Sequence, residues 1–131
     1  MAKRFYGLKS KGDNGKYLSF THSEWLPIYN YFCFKKNIKD CFGSTFQKLT
    51  IRESPANLEI KQRQAIKLAK ELAKAVKTWG HMDNVRILGD IAAYGDIYNA
   101  LDYYRESLDK MKDNIDRLSK FCKESGGFQM D

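Results

Sequence analysis

His22 and His81 are the only histidines of the chain, and both fall next to expected element ends. They set the scope for acid–base chemistry near neutral pH, because histidine is the side chain that titrates there unperturbed. Neither belongs to a His-x-x-x-His or Cys/His cluster, so a metal site would need residues brought together from distant segments. Cys33, Cys41 and Cys122 form no Cys-x-x-Cys pair. No Gly-x-Ser-x-Gly nucleophile elbow occurs. The pairs Gly12/Gly15 and Gly126/Gly127 do not make a phosphate-cradling loop between a strand and a helix. A metal-independent nuclease could pair either histidine with a lysine or arginine, yet no local pattern assembles one. The expectation is a protein without enzymatic activity, cofactor or metal.

Binding chemistry is better represented. Arg63, Lys67, Lys70, Lys74 and Lys77 fall on one side of a helical wheel, opposite an apolar face. Such a ridge is also what the solvated back of an amphipathic helix looks like, lysine being a good helix former. Only Glu71 relieves it, and no ladder of Glu–Lys pairs offsets its repulsion. Nucleic-acid binding would favour aromatics between the lysines, and forked arginines for reading base edges. The second candidate is a run of tyrosines among acids, with Asp90, Tyr94, Asp96, Tyr98, Asp102, Tyr103, Tyr104 and Glu106. Tyrosine is enriched in protein interfaces. The expected binding residues are therefore Arg63, Lys67, Lys70, Lys74, Lys77, Tyr94, Tyr98 and Tyr103. Their expected partner is a protein with an acidic surface. The alternative is a nucleic-acid accessory protein using the basic helix face.

The elements that must carry these residues fit into 131 residues, the length of one domain, so 1–131 is expected to be a single unit. With 43% hydrophobic and 14% aromatic residues, the chain has enough large apolar groups to form a core. An odd cysteine count with scattered spacing points to a reducing, cytoplasmic setting, and all three thiols are expected to be buried. No apolar run approaches the ~18 residues of a membrane span, and the N-terminus lacks a signal-peptide core. The net charge of +7 is uneven: residues 1–80 hold 16 basic and 6 acidic side chains, residues 81–131 hold 7 and 10. Two halves of opposite sign either attract each other or face partners of opposite charge.

The spacing predicts a hairpin from Arg4–Ser10 and Lys16–Thr21. Of two registers, the one with a three-residue loop and Gly15 in a left-handed bulge keeps apolar residues together, pairing Leu8 with Phe20 and Tyr6 with His22. A helix capped by Ser23 should run to about Lys36, with 40–44 as a connection. Phe46–Arg52 alternates like a strand. The clearest element is a helix over about Lys61–Trp79, burying Ala65, Leu68, Ala69, Leu72, Val76 and Trp79. A shorter helix capped by Asp83 or Asn84 should reach Tyr94. From Ile97 to Glu124 there is either one long helix or two, with Leu108, Met111, Ile115, Leu118 and Cys122 on its apolar stripe. Phe128–Met130 could add a strand at a sheet edge. The expected fold is α+β and mostly helical, with a small antiparallel N-terminal hairpin sheet packed against the helices.

Two stretches resemble a group of small bacterial proteins: Ile60–Ala65 with Leu68-Ala69, Leu72 and Ala75-Val76, and Leu118–Cys122 followed by Gly126-Gly127-Phe128. The resemblance extends to a short hairpin followed by a tryptophan, as in Leu18 to Trp25. Lys61 stands where that group has a capping Ser or Asp, so the helix is expected to start earlier, at Asn57. The resemblance implies an immunity or inhibitor protein that neutralises a toxin or defence protein, and it brings no catalytic residue.

Overall fold

The computed structural model describes residues 3–49, 58–80, 84 and 97–131, with backbone only at 47–48 and 97–103. Strand β1 (Lys3–Gly7) alternates buried and exposed residues and pairs antiparallel with β2 (Tyr17–Phe20). The observed register is Phe5↔Leu18 and Tyr6↔Tyr17, not the predicted Leu8↔Phe20. The cause lies far along the chain. Leu8, Lys9 and Lys11 donate their backbone N–H groups to the carbonyls of Gly127, Ser125 and Glu124, at 2.8–2.9 Å. Residues 8–16 therefore form a clasp around a distant helix end rather than a tight turn. Asn14 seals it by donating a hydrogen bond from its side-chain amide to Glu124 Oε2, at 2.9 Å. Gly15 sits in a 3-10 turn and not in a left-handed bulge. It is glycine for space, since a Cβ there would stand 2.3 Å from the Glu124 carbonyl carbon.

Helix α1 (His22–Phe34) begins one residue before the expected cap. Thr21 takes that role: its hydroxyl accepts from Glu24 N–H and Glu24 Oε1 accepts from Thr21 N–H, a reciprocal capping box. His22 is consequently an exposed first helical residue and not a member of the hairpin's apolar face. The helix stops at Phe34 because Lys35 is extended, and α2 (Lys36–Phe42) follows where a connection was expected. The predicted strand at Phe46 is a 3-10 turn over Gly43–Lys48. That turn brings Phe46 onto Tyr29, 6.0 Å between stacked rings, and directs Leu49 into the core. The remainder of that predicted strand, the helix predicted up to Tyr94, and His81 lie outside the described residues, apart from Asn84.

Strand β3 (Leu58–Lys61) leads directly into α3 (Gln62–Lys77), so the helix begins at Gln62 and residues 58–61 are strand rather than the earlier helical start expected. Asn57, the expected cap, lies outside the described residues. Helix α4 (Ile97–Glu124) is one unbroken helix of 28 residues, about 42 Å long. The whole expected stripe, Leu108, Met111, Ile115, Leu118 and Cys122, is buried. Gly126 (φ +69°) and Gly127 (φ +98°) reverse the chain into β4 (Gly127–Met130). This strand is interior and not an edge: the sheet order is β2-β1-β4-β3, all antiparallel. The architecture is thus α+β and mostly helical, as expected, and the sheet gains β3, which was not expected, and β4, which was expected only at an edge. Phe5 is the hub between the layers. Its ring meets Phe20, Trp25, Phe121 and Phe128 edge-on, with centroids 5.6–6.0 Å apart.

Candidate binding surface on the third helix

Helix α3 is held in place on both sides of its buried face. Ala65, Leu68, Ala69 and Leu72 pack into the core, Val76 and Trp79 are half-buried, and Ser119 of α4 donates to the Ala69 carbonyl at 2.8 Å. Lys61 offers no capping oxygen, yet the helix opens cleanly because Gln64 Oε1 accepts from the Lys61 N–H, 3.1 Å. At the other end Thr78 N–H and hydroxyl both donate to the Lys74 carbonyl, at 3.1 and 2.9 Å. On the flank, Asn37 of α2 donates to Glu71 Oε2 at 2.6 Å.

This anchoring turns Arg63, Lys67, Lys70, Lys74 and Lys77 outward together, and all five are exposed. They span an arc of roughly 80° on the helix. Lys74 approaches Glu71 at 3.8 Å, and the other four make no ion pair among the described residues. Glu71 itself is turned aside toward α2, so it relieves the ridge less than its position in the sequence suggests. Lys36, exposed, and Lys39, half-buried, lie on α2 beside it, with Asp40 as the nearby opposite charge. One residue was missed from sequence. Ile66, 40% exposed, borders the ridge together with Ala73, giving the cationic face an apolar margin.

The tyrosine candidates are not brought to this face by anything described. Tyr94 and the side chains of Tyr98 and Tyr103 lie outside the described residues, with Tyr98 and Tyr103 placed on α4 by backbone. Tyr104, next to them, is half-buried and packs against the core.

Groups with catalytic or ligating chemistry are scattered. Among the described residues no group of three or more His, Cys, Asp or Glu could hold a metal ion. Cys41 and Cys122 are buried as expected, but Cys33 is exposed because it falls on the outer side of α1. Burial pushes the Cys122 thiol far up. Burial, then the Glu71 carboxylate, also raises that of Cys41, while Lys67 acts against them. Among the described residues no helix is long and apolar enough to cross a membrane. Comparison with protein-family models, curated proteins and solved structures finds no match.

Proposed function

We propose that the chain is a non-enzymatic binding protein whose α3 face docks on an acidic protein. The observation that carries this is the exposed ridge of five cations, largely without internal ion pairs and bordered by exposed Ile66. Phosphate binding needs only the charges. A protein interface combines an apolar patch with a polar, charged rim, and the ridge with Ile66 and Ala73 has both. The charges steer encounter and the apolar patch slows dissociation. Tyr98 and Tyr103, on α4, are the proposed further hot spots. An immunity or inhibitor role, neutralising a toxin or defence protein, is the setting that such a domain suits. The proposed compartment is the cytoplasm, where exposed Cys33 stays a thiol.

The test uses purified protein and the acidic partner recovered by crosslinking through α3. Ile66→Asp should raise the off-rate. The double change Lys70→Glu, Lys77→Glu should slow association at low salt. Gel shifts should show no duplex DNA complex at micromolar concentration near 150 mM salt, about the physiological ionic strength. A DNA complex there, lost on charge reversal, would transfer the face to nucleic acid.

A further inference from the structure

The first turn of α1 and the middle of α4 do not close on each other. Between them is a cleft of about 240 Å³. Its apolar wall is Pro27, Tyr104 and the buried Met111. Glu24 and Lys110 line it with opposite charges, yet they make no ion pair with each other. Glu24 is held ionised, its carboxyl lowered first by the Thr21 backbone N–H and further by Lys110 and Arg117. Only its Oε1 is used by the cap.

Asn114 of α4 also lines the cleft. It is 6% exposed, and its Oδ1 accepts from Arg117 Nη1 at 3.3 Å. Its amide nitrogen makes no hydrogen bond among the described residues, which leaves it as a further donor for this cleft. The opposite end offers an acceptor. Pro27 has no N–H for the carbonyl of Ser23, four residues back, so that carbonyl lacks its i+4 helical donor at the cleft's rim.

We propose that this cleft binds a free apolar α-amino acid as its zwitterion. Its ammonium meets the Glu24 carboxylate and the Ser23 carbonyl. Its carboxylate lies between the Lys110 ammonium and the Asn114 amide. Its side chain covers Met111 and Tyr104. A bare anion or a simple amine would leave one of the two protein charges unmatched. The volume, below the roughly 300–1,000 Å³ usual for drug-sized ligands, suits one of amino-acid size.

Calorimetry on the full chain with L-leucine should show saturable binding with Kd of about 1 mM or tighter, within reach of a ligand this small. Leucinamide and N-acetyl-leucine, each lacking one charge, should bind at least tenfold more weakly. So should Lys110→Met and Glu24→Gln, the latter keeping an oxygen for the Thr21 cap. A hydrogen-exchange or thermal-melt check that both variants are folded secures the comparison. No saturable binding up to tens of millimolar would overturn the proposal. Equal binding of either single-charge analogue would also overturn it, the cleft then being a seat for a peptide end.

Discussion

Replacing Phe5 by alanine should cost more than any surface change, and the structure says by how much. Removing a buried phenylalanine side chain costs about 3–5 kcal/mol through lost transfer energy and the cavity left behind. Phe5 is 1% exposed and meets four aromatic rings edge-on. Such pairs add about 0.5–1.5 kcal/mol each beyond area burial, though neighbours sharing one ring do not add fully. A total near 5 kcal/mol is the expectation. At about 2.1 cal/mol/K per residue, 131 residues give an unfolding entropy near 0.28 kcal/mol/K, so Tm should fall by roughly 18 °C. Phe34, 70% exposed at the end of α1, is the control, and Phe34→Ala should stay within about 0.5 kcal/mol. Urea titration and calorimetry of both variants provide the measurement. A loss below 2 kcal/mol at Phe5, or an equal loss at Phe34, would refute the assignment of Phe5 as the hub between sheet and helices.

Two further outcomes follow from the titratable groups. Glu24 has a folded pKa lowered by the Thr21 cap, so its contribution to stability is present above its unfolded value near 4.3 and is lost as pH falls through the folded value. Acidification from pH 5 to pH 3 should therefore narrow the stability gap between wild type and Glu24→Gln; a constant gap would contradict the cap. A thiol reagent should label Cys33 alone in the native protein and all three cysteines in denaturant, since Cys41 and Cys122 are buried with raised thiols.

What sequence reveals here depends on how far away the deciding interaction lies. The buried face of α3 and the stripe of α4 repeat every three to four residues, and tertiary packing uses those same faces. The cationic ridge was legible for the same reason, being the opposite side of a strong amphipathic pattern. The hairpin register was not, because Leu8, Lys9 and Lys11 are committed to carbonyls more than a hundred residues away. Strand β3 carries the alternation Leu-Glu-Ile-Lys, but four residues are too few to stand out before a strong helix. Phe46 and Leu49 are both directed inward at a spacing of three, which a 3-10 turn satisfies and a strand does not. The cleft joins residues 23–27 to residues 104–114, and neither segment signals it alone.

The position of β4 bears on how this protein is made. Phe5 pairs with Met130, and Leu58 pairs with the same residue from the other side. Until residue 130 has left the ribosome, β1 and β3 share no neighbour, and each presents an unpaired edge to whatever strand is nearby. The hairpin of β1 and β2 is too small to be stable by itself. Pairing across such a sequence separation is slow, because the entropy of closing the intervening chain is lost before any contact compensates for it. Until β4 is available, and with it the long helix α4 that immediately precedes it, β1 and β3 cannot be joined into one sheet. Over that interval the open edges of β1 and β3 are where the unfinished chain is exposed to pairing with other strands.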